Sequence, residues 1–124
     1  MKQKILAIDD EALILDLVKI ALETEGYDVI TAERGSVGLE KAFAEKVDLI
    51  LLDFMMPDIS GFEACRRLKT NPTTSNIPIV VLTGRVSEDD IKKIMDTGAV
   101  DYITKPFDPL QLGDKVKAIL KKKM

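Results

Sequence analysis

Residues 48–61, DLILLDFMMPDISG, decide the fold of this chain. Leu49, Ile50, Leu51 and Leu52 run apolar without a break and stop at Asp53. So short an apolar run reads as a strand buried on both faces, the kind that parallel sheets use. Phe54, Met55, Met56 and Pro57 then lead into a loop that reaches Gly61. A carboxylate at the carboxyl end of a central parallel strand stands where open α/β sheets place their ligands. By itself, Asp53 reads first as a loop aspartate capping a turn. The ends of the other strands decide between these readings.

Residues 4–8 (KILAI) form a first strand, ending at Asp9, Asp10 and Glu11. Residues 12–25 read as a helix, rich in Leu and Ala and free of Gly and Pro, with Gly26 as its stop. Residues 27–32 (YDVITA) are β-branched and alternating, a second strand. Residues 36–46 form a second helix, with Leu39, Ala42 and Phe43 on one side. After the Asp53 strand, residues 61–70 form a third helix that Asn71 and Pro72 end. Residues 79–82 (IVVL) are a fourth buried strand, ending at Thr83. Ser87 with Asp90 resembles a capping box, so a fourth helix starts there and ends at Gly98. Residues 100–103 are a fifth strand, ending at Thr104 and Lys105. Asp108 followed by Pro109 opens the last helix, whose stripe is Leu112, Val116, Ile119 and Leu120.

Five strands alternating with five helices predict an α/β fold, a flavodoxin-like three-layer sandwich. The expected sheet is parallel, five-stranded, in the order 2-1-3-4-5, with its switch point between strands 1 and 3. The 124 residues suit a single domain over 1–124, large enough to bury roughly two thirds of its unfolded surface. Apolar content of 46% with 31% charged residues marks a globular chain rather than a disordered one. No apolar run is long enough to span a membrane, and the N-terminus does not read as a signal peptide. The lone Cys65 excludes an internal disulfide, which fits a cytoplasmic location, and reads as structural. A net charge of −3 argues against direct nucleic-acid binding. The absence of histidine excludes a His-based triad, a His metal site and a His phosphocarrier. Chemistry here must run on carboxylates, hydroxyls and lysine.

The strand ends carry Asp9, Asp10, Asp53, Thr83 and Lys105, all on one edge of the expected sheet. Three carboxylates held together require a cation. An oxygen-only donor set selects a hard ion, Mg²⁺ first, with Mn²⁺ as a substitute. With the Lys105 ammonium and the Thr83 hydroxyl, such a site suits a phosphoryl group, and Asp53 is then the nucleophile for an aspartyl-phosphate. Singly, each residue has a plain structural role: helix caps for Asp9 and Asp10, a loop hydrogen bond for Thr83, a solvated lysine for Lys105. Jointly, those roles would have to place the right polar type at four of five strand ends.

Taken together, these residues resemble the receiver domain of two-component response regulators, of the chemotaxis single-receiver type, along essentially the whole chain. The acidic pair matches Asp9 and Asp10, and the phospho-acceptor matches Asp53 with Pro57 and Gly61 in its D-x-x-x-P-x-x-x-G setting. Thr83 matches the switch hydroxyl, Tyr102 the aromatic switch residue, and Lys105–Pro106 the Lys-Pro pair. The intervals from Asp53 to Thr83, Tyr102 and Lys105, at 30, 49 and 52 residues, are similar to the family's. The resemblance implies metal ligation by Asp10, Asp53 and the Met55 backbone carbonyl, with Asp9 acting mostly through water. It implies a cis peptide between Lys105 and Pro106 that aims the lysine. It also implies a shift of Thr83 and Tyr102 that remodels the face of helix 4, strand 5 and helix 5, where Lys92, Lys93 and Tyr102 would meet an output partner. The implied donor is a sensor histidine kinase or a histidine phosphotransfer protein, or a small phosphodonor, and the downstream protein is unspecified. Gly84 departs from the family's usual Ala. Met55 and Arg85 stand at positions that govern attack by water, and an apolar Met55 predicts slow self-dephosphorylation.

Three rivals differ in chemistry. A haloacid-dehalogenase-type phosphatase needs a second Asp two residues after the nucleophile, where this chain has Met55. A flavodoxin-type cofactor carrier needs a Ser-, Thr- or Gly-rich first loop, where this chain has acids from Asp9 to Glu11. A phosphorylation-independent interaction module would not need the full residue set.

Overall fold

A computed structural model describes residues 2–84 and 87–123, with the side chain of Lys123 left aside. Its elements run β1 (Lys4–Ile8), α1 (Ala12–Thr24), β2 (Asp28–Ala32), α2 (Gly35–Ala44), β3 (Leu49–Asp53), α3 (Gly61–Thr70), β4 (Ile79–Thr83), α4 (Glu88–Asp96), β5 (Asp101–Thr104) and α5 (Pro109–Lys123). The five strands form one parallel sheet in the order β2-β1-β3-β4-β5. This is the flavodoxin-like arrangement expected from the alternation of elements.

The two faces of the sheet collect alternate strand residues, as a period of two requires. Leu6, Ile8, Ile50, Leu52, Ile79 and Val81 pack with Leu39 and Ala42 of α2, Ala64, Cys65 and Leu68 of α3, and Ile94 of α4. Ile5, Ala7, Leu49, Leu51, Val80 and Leu82 pack with Leu15, Val18 and Leu22 of α1 and Leu112, Val116 and Leu120 of α5. The sheet is thereby the middle layer of three. Every residue of β3 and β4 is buried, which explains why their sequences are unbroken apolar runs.

Several local signals act as expected. Ser87 Oγ accepts from Asp90 N–H, capping α4, while α3 has a cap not among those expectations, Ser60 Oγ accepting from Glu63 N–H. Asp108 Oδ1 accepts from Leu110 N–H at the start of α5. Gly26 (φ 94°) and Gly98 (φ 97°) follow α1 and α4 in the left-handed region.

One expectation needs correction. Strands β3, β4 and β5 extend one residue further, through Asp53, Thr83 and Thr104, because Asp53 pairs with Leu82 and Thr83 with Thr104. Of the three apolar residues on one side of α2, Leu39 and Ala42 are buried but Phe43 is exposed. The helix lays Gly35, Gly38, Leu39 and Ala42 inward. A Cβ at Gly38 would stand 2.5 Å from Ile8 Cδ1, so the helix sits too close to β1 for a larger stripe. Cys65 is fully buried, in keeping with a structural role, and its thiol is pushed up by burial.

Candidate functional site

The register of the sheet assembles the site. Ile8 pairs with Leu52, so Asp9 leaves β1 beside Asp53 at the end of β3. Asp53 pairs with Leu82, which puts Thr83 one step beyond it on β4. Thr83 pairs with Thr104, and Lys105 N–H donates to Thr83 O at 2.8 Å. Four neighbouring strands thus end in a carboxylate, a carboxylate, a hydroxyl and an ammonium in spatial sequence. The switch point between β1 and β3 opens among them.

Asp9 is fully buried, and Asp53 is 3% exposed. Single oxygens from Asp9, Asp10 and Asp53 lie within 4.8 Å of one another. Asp9 Oδ1 accepts from Glu11 N–H at 2.9 Å, holding the turn into α1. The N-cap residue of α1 is Glu11 and the helix has no side-chain cap, so neither Asp9 nor Asp10 caps it. Asp9 Oδ2 faces Lys105 Nζ at 2.7 Å, yet makes no directed hydrogen bond. Asp53 Oδ1 accepts from Met55 N–H at 3.2 Å and stands 3.3 Å from Lys105 Nζ. Lys105 also reaches Glu11 Oε1 at 3.4 Å. The Lys105–Pro106 peptide is cis.

Burial pushes the Asp53 carboxyl up to about 6, against the pull of the Met55 amide, and the neighbouring Asp9 and Asp10 add to the rise. For Lys105, burial pulls down, but Asp9 and then Asp53 outweigh it and the ammonium is held above its ordinary value. One ammonium therefore serves a cluster with more negative charge than it can neutralise. The three converging carboxylates and the undirected Asp9 oxygen fit a small hard cation, and oxygen donors without His or Cys fit Mg²⁺ or Mn²⁺.

Thr83 is buried beside a cleft of about 120 Å³ lined by Phe54, Met55, Phe62, Lys93 and Ile94. Tyr102 is half-buried against the core, and its carbonyl accepts from Lys115 Nζ at 3.0 Å. Lys115 Nζ of α5 also lies over the Tyr102 ring, 5.6 Å from the centroid. Met55 is largely exposed at the mouth of the site. A Cβ at Gly84 would meet nothing within 4 Å, so the space there does not demand glycine. Arg85 lies outside the described residues.

Sequence reasoning missed two acids. Glu11, which contacts Lys105, directly follows the acidic pair, and that adjacency was the available signal. Asp58 binds the start of α2, a contact across 22 and 23 residues that no local pattern announces.

The five-stranded α/β sandwich, with three carboxylates, a buried hydroxyl and an ammonium gathered at its strand ends, places the chain in the flavodoxin-like class. The sequence profile of the response regulator receiver domain matches residues 5–117, and the chain belongs to that family. The alkaline phosphatase synthesis transcriptional regulatory protein PhoP of Bacillus subtilis is 45% identical over 122 residues, 98% of this chain and 50% of that protein. The phosphate regulon transcriptional regulatory protein PhoB of Pseudomonas aeruginosa is 44% identical over 118 residues, 95% of this chain and 52% of that protein. The chain thus spans about half the length of the curated relatives it matches. The structure of the chemotaxis response regulator CheY4 of Vibrio cholerae superposes with a TM-score of 0.91 at 31% identity, covering 96% of this chain and 99% of that one. No helix among the described residues is long and apolar enough to cross a membrane.

Proposed function

We propose that residues 1–124 act as a single phospho-accepting receiver domain in the cytoplasm, with Asp53 as the acceptor. The observation that carries this reading is the near-burial of Asp53 between Asp9 and Lys105, 3.3 Å from the ammonium. Asp9, Asp10 and Asp53, with the Met55 carbonyl, are the residues that would hold Mg²⁺ or Mn²⁺. When bound, the ion supplies positive charge to the phosphoryl oxygens.

In the transfer, a carboxylate oxygen of Asp53 attacks phosphorus. The P–N bond to a donor phosphohistidine breaks, and its electron pair returns to the imidazole, which takes up a proton. Lys105 follows the negative charge onto the transferred group, and the Thr83 hydroxyl donates to one of its oxygens. The domain thus catalyses only its own phosphorylation and the hydrolysis of the product. It turns over no separate substrate. Met55 offers no side-chain group to orient a water, so the phosphorylated form should persist well beyond seconds.

The donor is a sensor histidine kinase or a histidine phosphotransfer protein, since the chain has no histidine of its own. The phosphoryl group then biases Thr83 and Tyr102, and with them the face of α4, β5 and α5 that carries the exposed Lys92 and Lys93, toward a downstream protein. These residues bind neither nucleic acid nor membrane in this reading. The matched relatives are named as transcriptional regulators and are about twice as long. The test is transfer of labelled phosphate from a phosphohistidine-bearing kinase to wild type and to Asp53→Asn. Label in the wild type alone is expected, and equal label in both would refute Asp53 as acceptor.

A further inference from the structure

Asp58 lies five residues beyond Asp53, in the loop that leaves β3. Its carboxylate binds the first amides of α2: Gly35 N–H donates to Oδ1 at 3.0 Å and Ser36 N–H to Oδ2 at 2.9 Å. Helix α2 has no cap of its own. Arg34 holds its N-cap position with extended backbone and no side-chain cap, and its first turn carries no acid. Orphan amides at a helix start need partners, and here a distant loop supplies them. In return the Ser36 amide, and with it the Gly35 amide, draws the Asp58 carboxyl below its ordinary value.

The seating is steric as well as polar. A Cβ at Gly35 would stand 2.0 Å from Ile59 Cγ2, 3.3 Å from Met56 Cε and 3.4 Å from Asp58 Oδ1. The loop therefore rests directly on the helix backbone. Its other hydrogen bonds lie at its ends: Phe54 N–H donates to Leu82 O at 3.2 Å, Met55 and Ser60 form an isolated antiparallel bridge, and Gly61 N–H donates to Phe54 O at 3.1 Å, while Phe54 and Met56 are buried in the core. Without the Asp58 bonds, the tip of the loop at residues 57–59 would be held to α2 by packing alone, and a shift of the tip would carry Met55 with it. Met55 is also the residue whose N–H holds Asp53 Oδ1.

We propose that Asp58 is a positioning residue: by clamping residues 54–60 to the start of α2, it fixes the Met55 backbone for metal binding and for orienting Asp53. This rests on the phospho-acceptor reading, in which the Met55 carbonyl is a metal ligand. The effect passes from Asp58 through the loop to Met55, and Asp58 touches neither metal nor phosphate. Outer-shell groups of this kind typically govern metal affinity by about tenfold or more.

The test must separate clamping from mere helix capping. Asp58→Ala removes both amide contacts. Arg34→Ser, in the same chain, gives α2 a local cap, since a serine with extended backbone accepts from its own helix's amides. The readouts are the Mg²⁺ dissociation constant of the unphosphorylated protein, by calorimetry, and the urea midpoint. Asp58→Ala should lower the midpoint and weaken Mg²⁺ about tenfold. Adding Arg34→Ser should recover the midpoint and leave Mg²⁺ weak. Recovery of both by the new cap, or wild-type affinity in folded Asp58→Ala, would overturn the proposal. Asp58→Asn, which keeps one acceptor oxygen, serves if Asp58→Ala does not fold; it should bind Mg²⁺ more weakly than wild type, and equal affinity would overturn the proposal. A wild type that binds no Mg²⁺ would bring down the phospho-acceptor reading and this inference together, an outcome distinct from a weakened variant.

Discussion

Lys105 Nζ lies 3.3 Å from Asp53 Oδ1, the same oxygen that receives the Met55 N–H. The ammonium is nearer still to Asp9, at 2.7 Å, so it serves as counter-ion to both strand ends.

Lys105→Met is therefore expected to leave Asp9 and Asp53 buried without their cation. Removing one partner of a buried pair costs roughly 3 kcal/mol. The loss should appear in urea denaturation near neutral pH with chelator present, and Mg²⁺ should restore part of it. A midpoint unchanged by the substitution would contradict this role.

The pH dependence of stability follows from Asp53. Burial first, with help from Asp9 and Asp10, raises its folded value from 3.8 to about 6. The folded chain then holds a proton that the unfolded chain has already lost. Stability in this term is highest below 3.8 and falls as pH rises toward 6, leaving a metal-free penalty on the order of 2–3 kcal/mol above that. Lys105, raised above its ordinary value, stabilises the fold below that value and loses this only in strong alkali, outside the window. Asp53→Asn cannot ionise, so it should be more stable than wild type near neutral pH in chelator. Its advantage should shrink as pH falls toward 3.8. Denaturation across that range checks the sign, and a pH-independent advantage would contradict it.

Gly38 packs against Ile8, the residue before Asp9. A Cβ there would meet Ile8 Cδ1 at 2.5 Å, Cγ1 at 2.6 Å and Cγ2 at 2.9 Å. Gly38→Ala should cost about 1–3 kcal/mol through overpacking. Combined with Ile8→Ala, the cost should be less than the sum of the two singles, because the smaller residue removes the clash. Strict additivity in a denaturation cycle would show that the two residues do not collide.

The same pair shows what the sequence could and could not say. The runs ending at Asp9, Asp53 and Thr83 were legible because strands buried on both faces tolerate only apolar residues. Gly26, Gly98 and Asp108–Pro109 marked helix ends because their backbone roles are local. The apolar side of α2 was legible, but not that Phe43 on it is exposed, since the constraint on that helix comes from Ile8 and Ile59, far away in the chain. The extra residue of β3, β4 and β5 came from pairing partners, which hydropathy does not display. At the site, the residue types at the strand ends were readable, whereas the Lys105–Glu11 and Asp58–α2 contacts needed the folded register.

Helix α4 buries one residue, Ile94, and its start depends on Ser87, whose Oγ accepts from Asp90 N–H at 3.1 Å and donates to Asp90 Oδ2 at 2.6 Å. Ser87→Ala should cost about 1 kcal/mol, felt first as faster amide hydrogen exchange within α4. Unchanged exchange there would mean that the helix is held by other contacts.

The central claim is that Asp53 accepts phosphate with the help of a divalent ion. The most direct measurement is the intact mass of the protein after incubation with acetyl phosphate and Mg²⁺, alongside Asp53→Asn and a chelator control, with peptide mapping of any adduct. The account predicts one phosphate-sized gain, in the wild type with Mg²⁺ only, located on Asp53. A gain that persists in Asp53→Asn, or that maps to another residue, would contradict it.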